Sequence, residues 1–324
     1  MQRLCLTILT AALVLGNAAP LQAKKHPLPR LPGSTLLIGW PPFSLTVTSG
    51  EQTLPVQQDP QSDWTVTPSL SADGSIVASA HPIAGEPPTS RTLIVSTWSA
   101  AGRHWTDEKN LEIVGGAVAI SPDGSKLACV TRWRTDAPSR LEVFDRKTGK
   151  VTIGPEILET AGTSITWSPH SRRLAFDMGD NRSPVKAGPT PFRAIYVMNV
   201  ETGVVSSIGK GLAPSWSPSG EWIAFLDYFP DHDDPRLGSA AAHPNRVSVM
   251  RPDGAGARVL FTFHRDEALM VPPVWSPDSQ ALLINRWHDR DKGTMDIDRL
   301  DLATLRLTRI FRNVPPVYAW LKSE

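Results

Sequence analysis

Residues 167–176 read Trp-Ser-Pro-His-Ser-Arg-Arg-Leu-Ala-Phe, and this stretch decides the fold because the chain repeats it. The pattern returns at residues 216–225 and 275–284, and two further copies without the Trp occupy residues 120–129 and 70–79. Each copy predicts a strand, a tight turn and a second, apolar strand, since Pro and Gly favour the backbone angles of turns. The repeated Ser lies at positions 71, 121, 168, 217 and 276.

A second pattern follows each copy of the first. Residues 193–203 read Arg-Ala-Ile-Tyr-Val-Met-Asn-Val-Glu-Thr-Gly, and residues 140–149 and 246–254 are similar. Alternating apolar and polar residues that end in a Gly-bearing turn indicate a β-hairpin. Two hairpins in every 47 to 59 residues give four antiparallel strands, which is one blade of a β-propeller.

The two ends of the chain complement each other. Five motif copies predict five blades, whereas residues 36–40, 43–48 and 52–56 offer strands with no motif before them. Residues 316–320, Pro-Val-Tyr-Ala-Trp, resemble a motif strand with nothing after it. Pairing the ends would leave no open sheet edge. The sequence therefore predicts an all-β fold, a six-bladed β-propeller of four-stranded antiparallel blades, closed by pairing of the N- and C-terminal strands.

The Trp-Ser-Pro-Asp-Gly pattern, followed by an apolar strand, resembles the TolB-like (WD-repeat-like) β-propeller repeats. His170 and Ser219 stand at the Asp position, and Ser171 and Ser279 stand at the Gly position, so these turns are expected to differ in detail. The resemblance implies the propeller fold. The family includes a periplasmic component of the Tol-Pal envelope system with an additional N-terminal α/β domain. Because too few residues precede Leu36 for such a domain, we expect only the propeller to carry over.

The N-terminal residues resemble a targeting segment. Residues 1–23 contain one Arg, no acidic residue and an apolar run over residues 4–15, which predicts a cleaved signal peptide. A retained N-terminal anchor is the alternative. Residues 24–34 are expected to be an extended leader, and residues 35–324 a single β-propeller domain. We therefore expect a periplasmic or secreted protein with no integral membrane span after signal removal.

Composition excludes several classes of function. The 33 basic and 32 acidic residues give a net charge of +1, which offers no bulk argument for binding nucleic acid. Only Cys129 remains beyond the signal segment, so no internal disulfide is expected, and a buried apolar role is favoured for it. The chain lacks a Gly-x-Ser-x-Gly elbow, a phosphate loop and a dinucleotide fingerprint, so we predict no cofactor and no catalytic residues.

A binding surface is predicted where the connections between second and third strands emerge, because these connections are long and vary between repeats. Trp, Tyr and Arg often dominate interface energies, and the predicted connections mix them with charge. The alternative is that Trp133 and Trp287 cover blade edges while the charges are solvated. The repeated Trp167, Trp216 and Trp275 are expected in the core. The candidate ligand-binding residues are Arg132, Trp133, Arg134, Tyr228, Asp231, His232, Arg286, Trp287, His288 and Asp289.

Three functional hypotheses remain open at this stage. The first is a non-enzymatic binding or scaffold propeller for a protein, peptide or envelope ligand. The second is a propeller enzyme, such as a metal-dependent lyase or hydrolase acting on a polysaccharide or peptide. His81, His232 and His288 would then converge, but no recognised ligand spacing supports this, so no metal site is predicted. The third is a subunit of a larger assembly whose partners supply the catalysis.

Overall fold

The computed structural model describes the chain in fourteen ranges, whose gaps fall mostly between strands. These ranges are residues 31–40, 44–49, 52–58, 68–82, 90–99, 104–114, 117–131, 139–157, 164–179, 193–228, 244–264, 267–269, 271–289 and 294–322. The strands in them form six antiparallel sheets, which are the blades of a propeller, and no helix occurs in these ranges. The predicted six-bladed, all-β fold is confirmed.

The first blade combines the two ends of the chain, as the sequence predicts. Its strands from the N-terminal end are β1 (Ser34–Trp40), β2 (Ser44–Ser49) and β3 (Gln52–Gln58). The C-terminal strand β25 (Val317–Lys322) pairs with β1, so that Leu36 lies opposite Trp320. The indole Nε1 of Trp320 also donates a 2.7 Å hydrogen bond to Ser34 Oγ. The ring is therefore closed through a strand from each end of the chain.

The next four blades each use four consecutive strands. Blade 2 contains β4 (Ser69–Leu70), β5 (Ile76–Pro82), β6 (Ser90–Ser99) and β7 (His104–Val114). Blade 3 contains β8 (Val118–Ile120), β9 (Lys126–Thr131), β10 (Ser139–Asp145) and β11 (Val151–Ile157). Blade 4 contains β12 (Ile165–Trp167), β13 (Arg173–Gly179), β14 (Arg193–Asn199) and β15 (Val205–Lys210). Blade 5 contains β16 (Leu212–Trp216), β17 (Ile223–Asp227), β18 (Arg246–Met250) and β19 (Arg258–Thr262).

Blade 6 departs from the four-strand pattern because its innermost strand is divided. The two pieces, β20 (Ala268–Leu269) and β21 (Val274–Trp275), both pair with β22 (Ala281–Asp289). Pro272 and Pro273 lie between them, and proline cannot donate a ladder hydrogen bond. The blade is completed by β23 (Thr294–Asp301) and β24 (Leu307–Val314).

The repeated Ser-x-Asp motif forms the turn between the first and second strands. In the Asp123 copy, Ser121 Oγ donates to the carboxylate at 2.6 Å and accepts from the Lys126 N–H at 2.8 Å. Burial raises the pKa of Asp123, but the hydrogen bonds from Ser121 and Ser125 outweigh it and hold the pKa at about 2. The turn chemistry expected from the sequence is therefore present, and it explains why Ser recurs.

The motif tryptophans lie in the core and connect neighbouring blades. Trp167, Trp216 and Trp275 are only 6%, 6% and 4% exposed, which confirms their predicted role. Trp167 donates its indole N–H to the Ala119 carbonyl of the preceding blade at 3.0 Å, and Trp275 does the same to Ser215 at 2.9 Å. Cys129 is fully buried in the apolar cluster shared by the first three blades, as expected. No helix within the described ranges is long and apolar enough to cross a membrane.

Candidate functional site

The strand order sorts the connections onto two faces of the ring. The turns that contain the repeated Ser lie on one face, which we call the turn face. The connections between second and third strands leave from the opposite face, which we call the long-loop face. Between the strand ends, these connections span residues 83–89, 132–138, 180–192, 228–245 and 290–293. The first four are long, as expected, whereas the last is short.

The structure describes half of the predicted ligand-binding residues. Arg132, Trp133, Arg134, Asp231 and His232 lie outside the described residues. Tyr228 directly follows β17, at the start of a long connection.

Arg286, Trp287, His288 and Asp289 are part of β22, so the prediction that these four residues lie in a connection between strands is wrong. Likewise, His81 lies within β5 and not in the following connection. These strands run further toward the long-loop face than the apolar pattern indicates, because their ladders continue to pair. Trp287 lies opposite Met295, and Asp289 lies opposite Thr294.

Arg286 is held inside blade 6 by carboxylates. Its Nε donates to Asp298 at 2.8 Å, and its Nη1 donates to Glu267 at 2.5 Å. A third carboxylate, that of Asp296, lies 3.4 Å from Nη2. A buried guanidinium needs such partners because desolvating a charge is costly. The Arg286 side chain is only 5% exposed, and its donors face carboxylates within the blade, so its role in ligand binding stays a prediction.

Blades 4 and 5 carry similar Arg–Asp pairs at the same end of their sheets. In blade 4, Arg193 Nε donates to Asp177 Oδ2 at 2.5 Å, and the Ser164 N–H donates to Oδ1 at 2.7 Å. Burial raises the pKa of the Asp177 carboxyl, and the Arg193 charge opposes that shift. In blade 5, Arg246 Nη2 donates to Asp227 Oδ2 at 2.6 Å. Each pair ties the end of a second strand to the start of a third strand.

Tyr228 lies beside these two pairs and is half-buried. Its N–H donates to Asp227 Oδ1 at 2.8 Å. Burial raises the pKa of the Tyr228 phenol, and the negative charges of Asp177 and Asp227 add to this, whereas Arg193 opposes it. With its pKa raised above the ordinary value, the phenol is protonated near neutral pH.

Sequence reasoning missed the Asp177–Arg193 and Asp227–Arg246 pairs, although a signal for them is present. In both blades an Asp follows the apolar residues of the second strand, and an Arg begins the third strand. Arg140 is the second residue of the third strand of blade 3, but it pairs instead with the exposed Glu156 at 2.9 Å. An Arg at this position therefore does not by itself predict a buried pair.

The six innermost strands surround a central cavity of about 180 Å³. Hydroxyl groups on its wall connect neighbouring blades: Ser69 Oγ accepts from the Ile120 N–H at 3.1 Å, and Thr166 Oγ1 accepts from the Trp216 N–H at 3.2 Å. Prolines from several blades, including Pro122 and Pro214, make up part of the remaining wall. The cavity thus offers small polar and apolar groups in place of charged ones.

The histidines considered as metal ligands fall outside what the structure describes. His232 and His243 lie in an undescribed connection, and only the backbones of His81 and His288 are described. Among the described residues, no group of three or more His, Cys, Asp or Glu side chains is arranged to hold an ion.

The closed ring of Ser-containing repeats defines a six-bladed β-propeller. No family model and no curated protein sequence matches the chain. Among solved structures, TolB from Acinetobacter baumannii aligns with a TM-score of 0.60 and 14% identity, over 89% of this chain and 66% of that chain. A putative TolB from Agrobacterium tumefaciens aligns with a TM-score of 0.55 and 16% identity, over 87% of this chain and 90% of that chain.

A third similar structure is an oligogalacturonate lyase from Vibrio parahaemolyticus. It aligns with a TM-score of 0.50 and 13% identity, over 86% of this chain and 72% of that chain. The chain spans just under two thirds of the Acinetobacter protein. Identities this low establish the shared fold and nothing finer. The same propeller thus serves proteins of different function.

Proposed function

We propose that this protein is a secreted or periplasmic, non-enzymatic binding or scaffold propeller that engages a protein, peptide or envelope ligand through its long-loop face. The observation that supports this is the unequal distribution of connections. On the turn face the Ser-containing connections are nearly uniform, whereas on the long-loop face the connections of blades 2 to 5 are longer and differ in length and sequence. Variable connections on a rigid scaffold are typical of a binding surface.

Ion pairs at the strand ends support the rigidity that such a surface needs. The Asp177–Arg193 and Asp227–Arg246 pairs fasten the strand ends from which two of these connections leave. Binding then costs less conformational entropy at the residues where these connections leave the strands. Tyr228, half-buried beside both pairs, contributes a protonated phenol and an aromatic ring, which is a side chain favoured at interfaces.

Site-specific photo-crosslinking tests the proposal. A benzophenone amino acid replaces Tyr228 on the long-loop face or, as a matched control, Ile153, which is 54% exposed on the outer strand of blade 3. We expect one discrete adduct from the envelope or culture fraction of the source cells with the probe at position 228, and none with the probe at position 153. Equal labelling from both positions, or none from either, would contradict a dedicated long-loop surface.

The enzyme alternative predicts a different result. The purified chain would cleave an oligogalacturonate or a peptide in the presence of a divalent metal, and the crosslinked species would not be required. Turnover by the purified chain that survives removal of trace contaminants would replace the binding proposal. We expect no turnover.

A further inference from the structure

Trp222 lies on the turn face at a position where the other repeats carry no aromatic residue. It is the fifth residue after the motif Ser of blade 5, and the equivalent residues in the other motif copies are Ile76, Lys126, Arg173 and Ala281. In each copy the backbone N–H of this residue donates to the motif Ser Oγ, at 3.1 Å for Trp222 and Ser217. The turn therefore needs the backbone at this position and not the indole.

Two arginines of the adjacent hairpin lie over the Trp222 ring. The guanidinium carbons of Arg251 and Arg258 are 5.4 and 5.7 Å from the ring centroid, within the range of cation–π contacts. In the neighbouring blade, Arg173 lies 5.1 Å from the ring of Trp216. All three arginines are exposed. Within the described ranges, no carboxylate makes an ion pair with any of them.

The arginines of blades 4, 5 and 6 on the long-loop face contrast with these three. Arg193, Arg246 and Arg286 lie within 2.8 Å of a carboxylate oxygen. Stacking on an indole orients a guanidinium while leaving its N–H donors available. The Trp222 group therefore holds oriented cationic donors, which suit a carboxylate from outside the chain.

Two cavities meet at Trp222. One, of about 340 Å³, is lined by Arg173, Glu221, Trp222, Arg251, Asp253 and neighbouring backbone. The other, of about 230 Å³, includes Arg258 and the edge of blade 6. Trp222 and Glu221 border both, so a ligand in either cavity can contact the Trp222 side chain. Asp253 already accepts the Ala255 N–H at 2.9 Å as part of its own turn.

We propose that this group, defined by Arg173, Trp222, Arg251 and Arg258, binds an extended acidic peptide segment of a partner protein. By the triangle inequality, the guanidinium carbons of Arg251 and Arg258 are at most 5.4 plus 5.7, or 11.1 Å, apart. Carboxylate side chains two residues apart in an extended peptide project from backbone positions about 6.6 Å apart. With their own length, these side chains span the two arginines.

The neighbouring strand favours a peptide over a saccharide. Arg258 is the first residue of β19, the outermost strand of blade 5, and no described strand pairs with its outer edge. Val259, next in sequence, is 47% exposed. An extended peptide can add its backbone to such an edge while its side chains reach the arginines and the apolar surface. A saccharide lacks the regularly spaced N–H and C=O groups with which a peptide backbone pairs along a strand edge.

Fluorescence anisotropy with the purified full chain tests the proposal. The probe is a fluorescein-labelled peptide of alternating Glu and Val, and the control peptide replaces Glu with Gln. We expect binding of the Glu peptide only, weakened by salt. Arg251→Gln and Arg258→Gln should each weaken it about tenfold, which corresponds to the loss of one charged hydrogen bond. Trp222→Phe, which preserves packing, should weaken it about threefold.

Two control variants distinguish binding at this surface from non-specific attraction to positive charge and from binding at the long-loop face. Arg312→Gln removes an exposed arginine on the outer strand of blade 6, and we expect it to leave binding unchanged. Tyr228→Phe, on the opposite face, should also leave it unchanged, so failure here is distinct from failure of the proposed function. The proposal would be overturned if the Glu peptide does not bind, if the Gln peptide binds equally well, or if Arg312→Gln weakens binding as much as the two test variants. It would also be overturned if oligogalacturonate or inorganic phosphate competes more strongly than unlabelled peptide.

Discussion

Arg286→Ala provides a direct test of whether the charged residues of blade 6 support the fold or bind a ligand. The guanidinium is bonded to Asp298 and Glu267 and lies 3.4 Å from Asp296. Both aspartate side chains are only 2% exposed. Removing Arg286 leaves these two buried carboxylates close together, with Arg309 still at 3.2 Å from Asp296 and 3.3 Å from Asp298.

The expected cost follows from burial. Deleting one partner of a buried ion pair typically lowers the free energy of unfolding by about 3–5 kcal/mol, because the other charge is left uncompensated. Arg309 continues to compensate part of that charge, although its 35% exposure weakens its effect. We therefore expect about 3–4 kcal/mol for Arg286→Ala. Arg140→Ala is the matched control, since its pair with Glu156 is 41% and 50% exposed and should contribute at most about 1 kcal/mol.

The stability lost in Arg286→Ala should be larger at neutral pH than at mildly acidic pH. Burial raises the pKa of Asp298, and the hydrogen bond and charge of Arg286 oppose that rise. Without Arg286 the folded-state pKa rises further, so the folded variant holds a proton that the unfolded chain, with a pKa near about 3.9, releases. The penalty is then full above the folded-state pKa and shrinks as the pH falls through it toward about 4.

Urea denaturation of the wild type and both variants, at neutral and mildly acidic pH, measures these differences. Adding Asp298→Asn to Arg286→Ala should recover part of the lost stability, because it removes one of the stranded charges. A deficit no larger than that of Arg140→Ala, or one that does not change with pH, would refute the reasoning. It would also favour the predicted ligand-binding role of Arg286 over a structural one.

Two further predictions concern the ring and its turns. The Asn285 side chain donates to the Val317 carbonyl and accepts from the Val317 N–H, each at 2.8 Å. Asn285→Leu should therefore lower the free energy of unfolding by about 2–4 kcal/mol and speed amide hydrogen exchange in β25, measured by mass spectrometry. Unchanged exchange would count against this role of Asn285. Leu305 has a φ of 54° at the turn position where blade 3 has Gly149 with a φ of 70°. Because this left-handed conformation favours Gly, Leu305→Gly should stabilise the protein by about 0.5–1 kcal/mol and Gly149→Ala should destabilise it by about 1 kcal/mol, measured by thermal unfolding. A change of the same sign in both variants would contradict this.

The fold could be predicted from the sequence because the backbone of each repeated turn requires the motif Ser as a hydrogen-bond acceptor. The motif Ser satisfies an N–H five residues later in every copy, so its spacing marks each blade. Ser171 and Ser279 replace Gly yet adopt φ values of 55° and 60°, so the turn survives the substitution. The division of the inner strand in blade 6 was not predicted, although the Pro272-Pro273 pair that interrupts it can be read directly from the sequence.

The candidate site was less predictable because its charges act in pairs that are distant in sequence. Arg286 reads as an interface residue beside Trp287, and only the carboxylates across the ladder reveal that it is buried. Asp177 and Arg193 are separated by a long connection, so their contact depends on the register of β13 and β14. Composition identifies charged residues near the strand ends, but it does not identify which are neutralised inside the blade.

The repeat itself offers a way to separate structural from functional residues in this chain. Where all copies require a backbone hydrogen bond and no particular side chain, an unusual side chain is not explained by folding. The turn at Trp222 requires only the backbone N–H, although the ring packs partly against the apolar cluster of blades 5 and 6, whereas the motif tryptophans recur and donate indole hydrogen bonds within the propeller. Arg286 differs from both, because three carboxylates account for its burial. Departures from the repeat whose side chains the turn does not require are therefore the positions at which binding should be sought first, on either face of the ring.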